Sequence, residues 1–399
     1  MVPGEDAMRG EPVGPNLPLS ADDVELTLRP LERATQLPPR AFTDPDVLAW
    51  ELEHVFRRGW IGACHIDQLA GRGRFVMVEL GGESVLIVAD EDGLPRAFVN
   101  SCRHRGSRIV DSPEGTVRRL TCPYHAWSYG FDGSLRNAPF TDELVDFDPA
   151  CNGLKPVPLA VVEGIVLLDM SGTAPSPAEH VGELREHLAH YRLDELRRGA
   201  RISYEVEANW KLIAENYSEC LHCPGVHPEL NRLSHYLSGE SVSGAGAWCG
   251  GSMTLSEHAE TMAREGGTNH RPPIKGLTEK DLRSVYYYLL FPNVLVSLHP
   301  DYVMLHTLWP RAVDRTEVVC EWYFERATMA KEGFDPQDAV DFWDQVNRED
   351  WDICALNQRG LRNRDATAGR YTGQEDDVHD FDVMVAGRYL EALRAEVAS

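Results

Sequence analysis

Two short segments carry the residues best suited to chemistry. Cys102-Arg103-His104 and Cys122-Pro123-Tyr124-His125 are separated by seventeen residues, and each supplies one thiol and one imidazole. A [2Fe–2S] cluster with two thiolates on one iron and two imidazoles on the other needs this set. Imidazoles in place of thiolates raise the cluster's potential, so the chemistry implied is one-electron transfer. Tetrahedral zinc is the competing reading of two Cys and two His. Zinc fingers usually group two Cys and then two His, whereas here the types alternate. Gly106, Pro123 and Gly130 permit the tight backbone approach through which N–H groups donate to cluster sulfurs. Strand-forming residues flank both loops. Iron is the expectation.

A second constellation lies in the segment from Asn209 to Leu230, which reads as a helix running into a broken turn. Glu219 and His222 are three apart, so they share a helical face. His222 and His227 are five apart and diverge by roughly 140° on an unbroken helix. Pro224 and Gly225 lie between them and can interrupt it. Two His and a carboxylate form the facial triad of non-haem Fe(II) oxygenases, which leaves positions for O₂ and water. Cys220 and Cys223 flank the His residues and read as small packed residues rather than ligands.

The Cys-x-His and Cys-x-x-His pair resembles the Rieske family. With Asn209-Trp210-Lys211, Glu219, His222 and His227 added, the chain resembles the catalytic α subunit of a Rieske non-haem iron oxygenase over essentially its whole length. The resemblance implies a distant Asp as third iron ligand. Asp350, followed by Gln358 eight residues on, is the choice, with Asp352 and Glu349 as rivals and Asp344 a weaker one. It also implies that the acid at 219 bridges His222 to a cluster His, His125 or His104, of a neighbouring subunit in a homotrimer. Trimer and hexamer both stay open. That acid is usually Asp. Glu at this place resembles members acting on quaternary ammonium compounds such as carnitine, betaines or choline, with C–N cleavage or demethylation. Aromatic-acid or other C–H hydroxylation is the alternative, and an electron carrier using only the cluster is a reading from another class. Asn209 is expected either as a polar group near the iron or as a helix cap.

The implied cofactors are one [2Fe–2S] cluster and one mononuclear Fe(II) per chain. NADH would act through a separate flavin and iron–sulfur reductase, or a ferredoxin, because no dinucleotide fingerprint appears in a strand–helix context. O₂ and a small molecule complete the expected partners. A cation pocket needs aromatic faces. Tyr286, Tyr287, Tyr288, Trp309 and Trp322 are candidates, and alternation places either Tyr287 or the pair Tyr286 and Tyr288 on the site side.

Composition narrows the partners. The chain has 399 residues and a net charge of −24, from 39 basic and 63 acidic side chains. That argues against a nucleic-acid partner, which needs clustered Lys and Arg. It favours a cationic small molecule or a basic protein patch, though acidity also serves solubility. Nine Cys without a regular framework suggest free thiols in a reducing compartment, hence a cytoplasmic location. No secretory signal and no apolar run of spanning length is expected.

The elements that must position these residues suggest an α+β protein. Residues 1–42 read as a tail and lead-in, mobile over the first twenty or so. Residues 43–165 read as a small antiparallel β Rieske domain with a leading helix, capped by Thr43 with Pro45 in its first turn. Residues 166–399 read as a larger catalytic domain, an antiparallel sheet surrounded by helices. Strands are expected near 74–78, 84–88, 97–100, 164–169, 201–206, 285–291, 293–297, 302–306 and 316–324. Helices are expected over 176–199 and 380–397. The Gly/Ser-rich stretch 239–277 reads as a loop over the site or an insertion.

Overall fold

The computed structural model describes residues 17–266 and 271–398. The expected tail therefore lies, up to residue 16, outside the described residues, as do positions 267–270 of the Gly/Ser-rich stretch.

The N-terminal part is built from short antiparallel sheets. Arg74–Leu80 pairs with Glu83–Ala89 and Glu114–Thr116, and Pro95–Val99 extends the sheet. A second sheet joins Leu120–Thr121, Ser128–Tyr129 and Leu135–Asn137. The strand Trp60–His65 pairs with Ile165–Asp169, so the chain returns beside the point where this β part begins. Phe75, Leu86, Val88 and Phe98 point between these sheets and pack on Cys102, Cys122 and Tyr129. The two Cys/His loops are thus fixed from beneath by a dry core.

The leading helix starts one residue later than expected. Thr43 closes the short helix Arg40–Thr43, and its hydroxyl donates to Pro39 O. Asp44 is the cap of Pro45–Glu51, accepting from Asp46 N at 3.0 Å. A carboxylate there also favours the positive end of the helix, which a hydroxyl does not.

The C-terminal part centres on a seven-stranded antiparallel sheet. Its order is Leu196–Val206, Arg315–Glu325, Val303–Ala312, Val294–Leu298, Ser284–Leu290, Trp248–Thr254 and Glu240–Ser241. The Gly/Ser-rich stretch therefore supplies the last two strands of the sheet, Glu240–Ser241 being its edge. Gly250 and Gly251 permit this: a Cβ on either would meet Tyr287 O or Glu240 O at about 2 Å. The charged stretch 176–199 is not one helix. Gly182, at φ 53°, separates Pro177–Val181 from Leu184–Ala189, and the following strand already begins at Leu196.

Helices cover one face of the sheet. Trp210–Tyr217 is short, Gln337–Leu361 is long, and Asp376–Ala398 closes the chain. Gln358 locks the long helix in place: its Oε1 accepts from Asn209 N at 2.7 Å and its Nε2 donates to Phe42 O. Lys211 and Glu51, both fully buried, pair at 2.6 Å, and Trp210 Nε1 also donates to Glu51. A buried ion pair needs such extra donors to offset desolvation.

Beside this pair, Glu215 of the short helix faces Asp382 of the C-terminal helix. Burial, followed by their mutual repulsion, raises Glu215 well above the carboxylate range. Asp382 is pushed up to about 6, chiefly by burial. Tyr371 donates to Asp382 Oδ2 at 2.6 Å, yet Glu215 Oε1 and Asp382 Oδ1 have no donor. One proton shared between them satisfies both. Raised folded pKa values mean that the pair's contribution to stability is complete below about pH 4, and the part carried by Asp382 is lost as pH rises through about 6. The slope is roughly 1.4 kcal/mol per pH unit for one proton. Glu215→Gln, which supplies the missing donor permanently, is expected to raise Tm relative to wild type at pH 8 and to flatten the fall in Tm between pH 4 and 7. Calorimetry showing an unchanged pH slope would refute the shared proton.

Candidate active site

The two Cys/His loops have the same backbone plan. Cys102 N donates to Ser107 O and Gly106 N to Cys102 O; Cys122 N donates to Trp127 O and Ala126 N to Cys122 O. In each the fifth residue has positive φ, Gly106 at 74° and Ala126 at 60°. This closes a tight loop whose first residue points inward. Cys102 and Cys122 are each 3% exposed, while His104 and His125 lie at the surface. The imidazole rings are 4.7 Å apart, and His104 stacks on Trp127. Tyr129 Oη lies 3.2 Å from Cys102 Sγ and accepts from Arg103 N. Burial works to raise the Cys122 thiol, but N–H groups of Tyr124 and His125 hold it lower, as donors to a cluster sulfur would. Thiols inside and imidazoles outside suit a two-iron cluster with its His-bound iron at the surface.

The second constellation does converge. His222, His227 and Asp350 each place one donor atom within 4.8 Å of the others, the one such group of His, Cys, Asp or Glu among the described residues. Asp350 Oδ1 is 2.8 Å from His227 Nε2 and 3.3 Å from His222 Nε2. The other ring nitrogens are held by carboxylates: His222 Nδ1 by Glu219 Oε1 at 2.5 Å, His227 Nδ1 by Glu349 Oε2 at 2.7 Å. Each ring thereby gives Nδ1–H to an acid and turns Nε2 to one shared point, as metal-binding imidazoles do. Despite opposing burial, Asp350 and Glu219 hold His222 up to about 10. A divalent cation would take the place of those protons.

The rivals for the third position fall elsewhere. Glu349 orients His227, Asp352 is exposed, and Asp344 accepts from Tyr204 and Arg348. The triad opens on a cavity of about 730 Å³ lined by Tyr217, Tyr287, Trp343 and Trp351.

Comparisons with known proteins agree with this geometry. Residues 59–149 match the Rieske [2Fe-2S] domain, and residues 193–391 match the catalytic domain of the ring-hydroxylating α subunit. The chain belongs to the Rieske-type ring-hydroxylating oxygenase α subunits. Its cofactors are accordingly a Rieske cluster and a mononuclear iron, and both donor sets above suit them. The glycine betaine monooxygenase oxygenase subunit of Chromohalobacter salexigens is 29% identical over 93% of this chain and 90% of that one. The carnitine monooxygenase oxygenase subunit of Escherichia coli K12 is 28% identical over 84% of this chain and 86% of its own length. The solved quaternary ammonium Rieske monooxygenase CntA shares the fold, with a TM-score of 0.79 at 24% identity, covering 93% of this chain and 99% of that one.

Several expectations for this oxygenase need correction. The short helix ends at Tyr217, where Ser218 Oγ turns back to Ala214 O, so Glu219 and His222 do not share a helical face. They meet through a turn, and His222 starts a new short helix, Cys223–Val226, with Pro224 in its first turn. Cys220 and Cys223 are not free packed thiols. That turn brings their Cα atoms to 5.0 Å, within disulfide reach, and they are bridged. Asn209 caps the short helix, accepting from Lys211 N and donating to Val313 O. It does not line the cavity, so of its two readings the cap is the one seen.

Strand alternation sends Tyr287 to the cavity, opposite Ser297, while Tyr286 and Tyr288 pack behind the sheet with Tyr191 and Trp248. Trp309 and Trp322 belong to the core. Sequence reasoning missed Trp343, Val346, Asn347 and Trp351, although with Asp350 they recur at helical spacing and all line the cavity. It also missed His306, which burial lowers to about 4 and which contacts Asn347 through Nε2.

Proposed function

We propose that this oxygenase oxidises a C–H bond of a quaternary ammonium compound, with electrons from NADH delivered by a separate flavin and iron–sulfur reductase. One observation carries the reading: two Nε2 atoms and Asp350 Oδ1 converge at the wall of an aromatic-lined cavity. In this reading Cys102, His104, Cys122 and His125 hold the cluster, and His222, His227 and Asp350 hold the iron. When bound, the cluster supplies single electrons and the iron activates O₂.

The chain's own residues do the rest. Glu219 and Glu349 fix the rotation and tautomer of the two imidazoles. The carboxylate of Glu219 retains acceptor capacity for a cluster imidazole of a neighbouring copy, the role that a homotrimer would give it. Tyr217, Tyr287, Trp343 and Trp351 offer aromatic faces on which a trimethylammonium group can rest. Relatives named for glycine betaine and carnitine oxidation support the same substrate class. A cytoplasmic location belongs to this reading and is supported by five cysteines, Cys64, Cys151, Cys249, Cys320 and Cys354, that are neither bridged nor assigned to the cluster. No described helix is long and apolar enough to cross a membrane.

Oxidation of an N-methyl group by O₂ and two electrons, with two protons taken up, gives water and an N-hydroxymethyl product that releases formaldehyde as its C–N bond breaks. Oxidation at other carbons leaves an alcohol. Holoenzyme with a surrogate reductase is expected to show O₂ uptake dependent on trimethylammonium compounds and not on aromatic acids. The reverse pattern would refute the reading.

A further inference from the structure

The cavity is acidic at both ends. Glu219 and Asp350 sit at its floor, engaged with the two imidazoles. At its rim stand Glu240, from an edge strand, and Asp376, Asp377 and Asp380, from the start of the C-terminal helix. Among the described residues none of these four rim acids forms a salt bridge. Asp377 Oδ2 accepts from Ser241 Oγ, and the Gly250 backbone N–H also faces this carboxylate, which burial pushes up to about 6. Acids in a first helical turn also suit the helix dipole. Asp380 lies beyond that turn and Glu240 lies on another element, so the dipole does not account for all four.

The cavity wall contains no Lys or Arg among the described residues. Of its His residues, His222 and His227 belong to the triad. His306 is buried and uncharged. His379, the one base beside Asp380, commits Nε2 to Thr27 O at 3.0 Å. Two polar groups in the wall lack partners, His306 Nδ1 on a side chain 2% exposed and Tyr287 Oη. Both suit a neutral hydroxyl. Neither carries the fixed positive charge that best offsets a carboxylate.

We infer that the substrate is a net cation, a trimethylammonium compound ending in a neutral polar group such as a hydroxyl, and not a betaine- or carnitine-type zwitterion. This rests on the quaternary ammonium reading and narrows it. The oxidised C–H must face the triad. If that C–H is on the trimethylammonium end, the other end of the substrate points to the rim. A carboxylate there would meet four acids and neither Lys nor Arg among the described residues, whereas a hydroxyl meets no repulsion. The acids would also draw a cation into the cavity, an effect weakened by salt.

The test uses holoenzyme and surrogate reductase with choline, glycine betaine, L-carnitine and a benzoate at low salt. It records O₂ uptake and, by calorimetry, binding. Choline is expected to exceed both zwitterions in kcat/KM and in affinity by about tenfold or more, the advantage shrinking at high salt. In the double variant Asp376→Asn/Asp380→Asn the preference for choline is expected to fall several-fold with the iron content unchanged. Equal or better use of glycine betaine or L-carnitine would overturn the inference and leave the quaternary ammonium reading standing. Turnover of the benzoate alone would overturn both. A choline preference unmoved by the double variant and by salt would overturn the electrostatic argument and with it the inference.

Discussion

His222→Ala is expected to lose the mononuclear iron and keep the cluster. His222 Nε2 is one of three donors meeting at the cavity floor, and its Nδ1 is already committed to Glu219. Removing the ring leaves a two-donor site, too few for a stable ion, and leaves Glu219 without its imidazole partner. The cluster loops belong to a separate β core that makes no use of this residue. Iron should therefore fall from about three to about two per chain, the visible Rieske absorption should persist, and substrate-dependent O₂ uptake should vanish. Full turnover in the variant would remove His222 from the ligand set. Loss of the visible bands would show that the two centres are not structurally independent.

Glu219→Gln is expected to separate metal binding from turnover. Gln keeps a carbonyl oxygen for His222 Nδ1–H and nearly the same volume, so the ring stays oriented and the iron stays bound. The charge is lost, which lowers the basicity of His222. The amide also presents N–H where the carboxylate accepts from Leu221 N and His222 N. A carboxylate joining imidazoles of two subunits would no longer do so on equal terms. Turnover should drop by roughly 10–100-fold or more, with iron content unchanged. Reoxidation of the pre-reduced cluster by substrate and O₂ should slow in parallel. Wild-type rates would show that Glu219 only positions a ligand and carries no link between centres.

The ease with which each site could be read from the chain follows from how local it is. The cluster residues lie in two loops whose types and spacing are visible within twenty-four positions, and the turn-forming residues around them are part of the same signal. His222 and His227 are also local. Asp350 is 123 residues from His227, so spacing alone could not choose it over Glu349. The structure separates them by geometry: Glu349 reaches Nδ1 and Asp350 reaches Nε2. Alternation narrowed the three tyrosines to two choices, and the register with Ser297 picks Tyr287.

What pattern could not reveal were the places where one residue settles the backbone. The helix expected to carry Glu219 and His222 on one face stops at Ser218, and Asp44 outcompetes its neighbour Thr43 as a cap. Trp343 and Trp351 share a face with Asp350, a pattern that becomes meaningful only once Asp350 is placed at the site.

The central claim is that one chain carries both a two-iron cluster and a separate three-donor iron site. Metal and labile-sulfide analysis of the purified holoenzyme, paired with the same analysis of Asp350→Ala, tests it most directly. About three irons and two sulfides per chain are expected in the wild type, and about two irons and two sulfides in the variant. Two irons in both proteins, or zinc in place of iron at either site, would contradict the account.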